Sequence, residues 1–552
     1  MKSIKGTKGS DLFIECLENE GVEYIFGVPG EENLDLMESL SRSAKIRFIV
    51  TRHEQGAAFM ADVYGRLVHK PGVCLATLGP GATNLMTGVA DAFLDKAPLV
   101  AITGQADLEK THKEAHQYID IVGSFTHITN WTTSITRADF IPEIVRMAFD
   151  RAIDAPGAAH IELPEDVAQE EAKQSPLRLK KSTHLSAPDE SELKKAADFI
   201  KNASMPIILA GNGVIREEAS PQLVEFVKST GIPVATTFMG KGAIPADSEP
   251  YLGSVGLQSK DYVLCGFDAA DLVICIGFDP VEYSPRLWNP DGSKNIIHIH
   301  SSHHEVDASY LPEFALIGSI KESLRRLIPC CTFETKVPEY FIRLKQKMES
   351  ELYSFKDDTA FPVKPQKILY DIRKSLSRGD ILISDVGAHK LWIGRLYPAY
   401  EPNTVLISNG FASMGFALPG AIAASLVYPD KKIMVATGDG GFLMNLQELE
   451  TAVRLGCNFV VVVFDDSKYG VIKWKEEMKF NRSFGVEFSN PDFVKLAESF
   501  GARGVKIEKT EEFAPELKKA LDAGGIWIFD VNVDYSENMK LTQKLGENIC
   551  KF

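Results

Sequence analysis

Two acidic groups, far apart in the chain, have the residue types to hold a hard cation. Gly438-Asp439-Gly440-Gly441 follows the apolar run KKIMVAT, and Asp465-Asp466 closes the run FVVVVF, with Asp466 standing 27 residues past Asp439. A glycine-rich turn from strand to helix lets backbone N–H groups approach phosphate oxygens, and the helix end adds a favourable dipole. Neighbouring parallel strands finish at one edge of a sheet, so both carboxylates can reach a single divalent ion bridging diphosphate oxygens, a role that suits magnesium. Each group alone also has a plainer reading: the glycines serve turn geometry, and the Asp pair forms the turn ahead of a helix.

Further candidates lie elsewhere. Glu54, in RFIVTRHEQGAAFMADVYGR, sits just past an apolar strand and opens a helix of small residues, where electrostatics alone would favour an acid. In LGPGATNLMTGVADAF, Pro80 and Asn84 fit a tight turn and a helix cap. Met414, in ISNGFASMGFALPGAIAA, would by itself be core filling.

Together these blocks resemble a known family. The Gly-Asp-Gly turn followed after about 25 residues by a paired Asn/Asp is similar to the thiamine diphosphate motif of the enzymes that include acetohydroxyacid synthase and pyruvate decarboxylase, and RHEQGAA is similar to their RHE-x-x-A block. The resemblance implies that Asp439, Asp466 and the backbone carbonyl of Lys468 bind Mg2+. It implies that Glu54 protonates the far ring nitrogen of the cofactor's pyrimidine, with Pro80 and Asn84 bordering that ring. SDVGAHK, with Gly387, Ala388 and a donating His389, would meet the diphosphate beside Gly438, Gly440 and Gly441. Met414 would sit under the bend between the rings, and Pro29, Tyr469 and Gly470 complete the expected cofactor contacts.

The resemblance runs from about residue 8 to 540 and narrows further. GFDPVEYSPRLWN, LQELETAVRLG and DVNVDYSENMKL look like the FAD-free, catabolic acetolactate synthases, which implies condensation of two pyruvates to 2-acetolactate and no flavin. Gln117, in EAHQYID, matches a glutamine near the reacting centre of synthases. Ala412 and Lys475 stand where catabolic synthases commonly have glutamine; Lys475 would hold a substrate carboxylate or face solvent on its helix, and Trp474 would wall the pocket or fill the core. The alternative activity is a 2-oxoacid decarboxylase or a carboligase with another acceptor, and a catalytically silent assembly subunit is the reading from a different class. In this family the active site joins Glu54 of one subunit to the metal site of another, so a homodimer or homotetramer is implied.

The elements that must position these residues recur along the chain. Short apolar runs ending in glycine turns and followed by helical patterns mark parallel α/β units. They are EYIFGVPG, RFIVTRHEQ, GVCLATLGPG and APLVAITGQ; then PIILAGNG, IPVATTF, LVICIGFDP and NIIHIH; then ILISDVGAH, TVLISNG, KIMVATGDGG and FVVVVFDDS. Polar stretches near 168–192 and 347–365 read as linkers. The expected fold is α/β, with three doubly wound parallel-sheet domains: pyrimidine-binding at 1–180, central and Rossmann-like at 190–345, diphosphate- and metal-binding at 365–540. GNG at Gly211 to Gly213 lacks the full glycine fingerprint of a nucleotide loop.

Composition sets outer limits. A 552-residue chain exceeds what one core usually supports, and 45% apolar content leaves little room for disorder. A net charge of -15 disfavours nucleic acid and anionic membranes as partners, and no run approaches a membrane span, so the expected location is the cytoplasm. The eight cysteines include no CxxC pair and read as small buried hydrophobes rather than a disulfide framework. His298 and His300 alternate along a strand, with His303 and His304 past its end, which favours a strand terminus over a metal site.

Overall fold

Strands of three to seven residues, rich in Val, Ile and Ala, build three six-stranded sheets in a computed structural model that describes residues 6–178, 186–256, 262–331, 337–541 and Cys550. The first comprises β1 (Tyr24–Gly27), β2 (Arg47–Val50), β3 (Gly72–Ala76), β4 (Leu99–Gln105), β5 (Trp131–Ser134) and β6 (Ala158–Pro164), in the order β2-β1-β3-β4-β6-β5. The second comprises β7 (Pro206–Ala210), β8 (Val234–Thr236), β9 (Tyr251–Ser254), β10 (Leu272–Ile276), β11 (Asn295–His300) and β12 (Phe314–Ile317), in the order β9-β8-β7-β10-β11-β12. The third comprises β13 (Ile381–Ser384), β14 (Val405–Ile407), β15 (Ile433–Gly438), β16 (Phe459–Asp465), β17 (Arg503–Ile507) and β18 (Ile526–Asn532), in the order β14-β13-β15-β16-β18-β17. Every pairing within these sheets is parallel. Central strands such as β3, β10 and β15 are buried along almost their whole length, as expected of sheets covered by helices on both faces.

The first and last sheets share one strand order, and the middle sheet has the dinucleotide-type order. In each, the chain reverses direction across the sheet between two central strands, and loops leaving their carboxyl ends face a crevice suited to a ligand. These strand pairs are β1 and β3, β7 and β10, and β13 and β15. Helices α1 (Glu54–Val68) and α2 (Pro80–Leu94) flank the first crevice. The third domain contributes α3 (Ala388–Leu396), α4 (Ala417–Val427), α5 (Asp439–Met444), α6 (Glu448–Leu455) and α7 (Gly470–Phe480). One apolar core runs through the first and third domains: Ala57, Val63 and Phe59 of α1 cluster with Phe416 and with Ala421 and Ala424 of α4. Phe59 meets Phe416 edge-on at 5.7 Å, and the small residues of both helices let the backbones approach closely.

Three expectations need correction. The stretch 347–365 is not linker throughout, because helix Glu339–Tyr353 continues through about its first third, held on the central domain by buried Phe341 and Leu344. The stretch 168–192 includes the short helix Glu165–Gln169, a strand at Glu171–Ala172 paired with Thr7–Lys8, and the start of helix Glu190–Asn202; residues 179–185 lie outside the described residues. The cysteines are not all unpaired: Cys265 and Cys550 form a disulfide, while the other six are free. His298 and His300 do share a face of β11 and stack at 5.4 Å. Among the described residues no helix is long and apolar enough to cross a membrane.

Candidate active site

The acidic ends of the third sheet meet as strand register requires. Gly438 pairs with Phe464, so Asp439 and the 465–466 pair leave adjacent strands side by side. Asp439 opens α5 and is almost wholly buried; its Oδ1 accepts from the Gly440 N–H at 2.7 Å, and its Oδ2 accepts from the Ser467 N–H and from Asn490 Nδ2, both at 2.7 Å. Asp465 turns aside, accepting from the same Asn490 amide at 2.8 Å and from Ser467 N–H at 3.2 Å. Asp439, Asp466 and Lys468 line one cavity of about 1020 Å3. Burial raises the carboxyl of Asp439, and burial followed by the charge of Asp439 pushes Asp466 up to about 7. Two like charges in one half-closed cleft are a donor set that a divalent cation would neutralise, so these residues fit the implied metal.

The rest of the cavity wall comes from the neighbouring turns. Gly387, Ala388, His389, Ala412, Met414, Gly438, Gly440, Gly441, Tyr469, Gly470, Trp474 and Lys475 all line it. Two glycines are required by close approach: a Cβ at Gly441 would stand 2.9 Å from Asp385 Oδ1, and one at Gly440 2.9 Å from the Tyr469 ring. Asp385, at the carboxyl end of β13, accepts from Val386 N–H at 2.7 Å, Gly415 N–H at 3.0 Å and Ala417 N–H at 3.1 Å, fixing the turn that presents Met414. Burial pushes its carboxyl up to about 6. His389 lowers to about 3 through burial and is neutral; its Nε2–H donates to Asp385 O at 3.0 Å, so the donor role expected of it would require the ring to turn. Trp474 is buried and walls the cavity, whereas Lys475 lines it while remaining exposed to solvent.

The loop ahead of Met414 is clamped from both other domains. Asp95 accepts from Asn409 N–H at 2.9 Å, Ser408 donates to Asp91, and Arg66 donates to Ile407 O at 3.0 Å while pairing with Asp62 and Asp95. From the central domain, Glu282 O accepts from Asn409 Nδ2 at 3.0 Å. The Glu282 carboxylate lies at the glycine turn after β7, accepting from Asn212 N–H at 3.1 Å and from Asp279 N–H at 3.1 Å. A Cβ on Gly211 would come within 2.8 Å of it. Burial, then the charge of Asp279, pushes this carboxyl up to about 7.

The first-domain candidates assemble at their own crevice. Glu54 is buried as the first residue of α1 and accepts from Asn84 Nδ2 at 3.0 Å. Gln117 and Gly79 are pressed together: Gly79 has φ +52, a Cβ there would stand 2.6 Å from Gln117 O, and Gln117 itself has φ +56. Pro29, Pro80 and Gln117 are exposed. None of Pro29, Glu54, Pro80, Asn84 and Gln117 is among the residues lining the large cavity of the same chain. Instead the start of α1 is latched to α6, where Glu448 accepts from Arg52 N–H and His53 N–H, both at 3.0 Å. Residues that sequence reasoning passed over are therefore Asn490, Asp385, Asp95 and Glu448. Asp385 and Glu448 stood inside quoted blocks, SDVGAHK and LQELETAVRLG, but Asn490 and Asp95 carry no local motif and are found only through the fold.

Comparison with known proteins agrees with this layout. Residues 7–124 match the thiamine pyrophosphate enzyme N-terminal TPP binding domain, 193–327 the central domain, and 385–531 the C-terminal TPP binding domain. The chain is 36% identical to acetolactate synthase of Bacillus subtilis, over 99% of this chain and 97% of that protein. It is 34% identical to the catabolic acetolactate synthase of Raoultella terrigena, over 97% of each. It is also 34% identical to a probable acetolactate synthase large subunit of Methanocaldococcus jannaschii, over 98% of this chain and 94% of that protein.

Proposed function

Because the chain belongs to the thiamine pyrophosphate enzymes, within the acetolactate synthase family, we propose that it condenses two pyruvates into 2-acetolactate with release of carbon dioxide. The observation that carries this reading is the single cavity in which Asp439, Asp466, Met414 and Lys475 meet. Thiamine diphosphate, when bound, supplies the carbon nucleophile that lets a 2-oxoacid lose carbon dioxide and join a second carbonyl carbon.

The chain's own groups bind, orient and move protons. The carboxylates of Asp439 and Asp466 and the carbonyl of Lys468 hold Mg2+, while the turns at Gly387–His389 and Gly438–Gly441, with Tyr469 and Gly470, receive the diphosphate. Glu54, oriented by Asn84, exchanges a proton with the pyrimidine nitrogen, and Pro29 and Pro80 border that ring. Met414, held by the Asp385 turn, would pack against the bound cofactor. Gln117 and Lys475 orient the oxoacid carboxylates, and Trp474 screens the reacting end from water.

The separation of the Glu54 crevice from the large cavity within one chain supports an active site completed by a second copy, in a homodimer or homotetramer. Ile472 and Met478, which line the cavity, and Phe480 and Phe484 shortly after them in the chain are exposed large apolar side chains, and they support the same reading, since exposed apolar surface favours a partner. The Glu282 carboxylate at the glycine turn after β7 supports a flavin-free central domain. The test is to incubate purified protein with thiamine diphosphate, Mg2+ and pyruvate and to identify every product. We expect 2-acetolactate, converted by acid to acetoin; acetaldehyde or unchanged pyruvate would overturn the assignment.

A further inference from the structure

A second, smaller cavity of about 130 Å3 opens between the central and third domains, away from the groups just described. Lys241, in the loop after β8, lies against it with only 2% of its surface exposed. Its ammonium donates to Gly394 O at 3.0 Å and to Ser254 Oγ at 3.3 Å, two neutral oxygens. Among the described residues no carboxylate pairs with it. A buried cation is costly unless an opposite charge or good hydrogen bonds compensate it.

The neighbouring charges are already matched. Asp247 pairs with Arg378 at 2.6 Å, Arg395 with Glu351 at 3.0 Å, and Lys345 faces Glu349 at 3.9 Å. Lys241 is thus the single unmatched charge, which suits a monoanion better than a dianionic phosphate. Leu252, Met348 and Leu396 give the cleft apolar walls, which suit an organic anion better than a halide. The volume leaves room for roughly five or six non-hydrogen atoms. We propose that this cleft is a second, non-catalytic binding site for a small monocarboxylate, with Lys241 as its counter-charge.

The site bears on the large cavity through α3. That helix begins at Ala388 and His389, which line the large cavity, and ends about 13 Å away at Arg395 and Leu396, which line the cleft. Lys241 is bonded to its last turn, so an occupant drawing the ammonium toward itself would pull on the helix that shapes the cofactor end.

The test titrates the holoenzyme, loaded with thiamine diphosphate and Mg2+, with propionate, which has no keto group and undergoes no turnover. Isothermal calorimetry should find one propionate per chain. K241M should weaken binding at least tenfold, and so should A246L, which fills the cleft without altering charge; affinity for thiamine diphosphate should be unchanged in both. The wild-type protein supplies a measurement independent of either variant. Burial pushes the Lys241 ammonium down to about 7, and the groups around it are Tyr251, Ser254, Asp247, Lys345, Glu349, Arg395 and Tyr397. Propionate should therefore bring with it close to one proton at pH 8 and much less at pH 6, read from buffers of different ionisation enthalpy. Absence of binding, binding insensitive to both substitutions, or equal affinity for phosphate or chloride would overturn the proposal.

Discussion

At the scale of single residues, the chemistry divides between groups that touch a ligand and groups that aim them. In the proposed mechanism Glu54 is of the first kind, and Asn84, donating to it at 3.0 Å, is of the second. E54Q should retain Mg2+ and thiamine diphosphate binding while losing about 10²- to 10⁴-fold in turnover, measured by binding titration beside steady-state kinetics. Lys475 is tested differently, because it is solvent-exposed and the role proposed for it concerns only a charged substrate. K475Q should raise the KM for pyruvate about tenfold, the value of one charge-assisted hydrogen bond, and leave cofactor affinity unchanged. The residues that line the large cavity were legible because phosphate and metal chemistry would demand particular types at particular spacings: glycines at 438, 440 and 441, carboxylates at 439 and 466. The aiming residues were not. Asn490 reaches Asp439 from 51 positions away, and an asparagine in a polar loop carries no mark of its partner.

At the scale of elements, the latch between α1 and α6 makes a pH-dependent prediction. Glu448 is fully buried, and burial pushes its carboxyl from 4.5 up to about 7. A raised folded-state value means that its stabilising protonated form is complete below about 4.5 and is lost as pH climbs through about 7. The cost of holding it charged above that range is about 3 kcal/mol. E448Q keeps an acceptor for Arg52 and His53 N–H without a charge to bury. Its Tm should fall less between pH 5 and 8 than that of the wild type, the remaining fall coming from Asp385, Glu282 and Asp466, as measured by scanning calorimetry. The twelve apolar runs quoted from the sequence all became strands, most of them buried on both faces and so apolar throughout, with the half-exposed edge strand β2 (RFIV) as an exception. Edge strands escaped that logic: β5 (WTTS) and β17 (RGVKI) are half-exposed and mixed in polarity. β6 was masked differently, since buried His160 and Glu162 find partners in Thr103 and Gln105.

At the scale of the molecule, completion of the active site by a second copy predicts a concentration-dependent enzyme. Specific activity should fall as the protein is diluted to monomers and return on reconcentration, followed by sedimentation velocity alongside product formation. F484E should shift that curve to higher protein concentration, because Phe484 is 89% exposed in the single chain and an interface would bury it. Active monomers would contradict the shared site. The three-domain layout was readable because each unit repeats the same grammar of strand, glycine turn and helix. The start of the stretch 347–365 reads as linker in the sequence because helix Glu339–Tyr353 is polar on most of its surface and anchors through few apolar residues.

The carboxylate of Glu282, resting on the amide of Asn212, gives the middle domain a settled occupation. A pyrophosphate-bearing guest would have to evict a resident side chain whose own backbone oxygen steadies Asn409. Eviction would loosen the floor beneath Met414. The unit built on the dinucleotide plan thus also works as masonry, steadying through Glu282 a loop of the cavity next door.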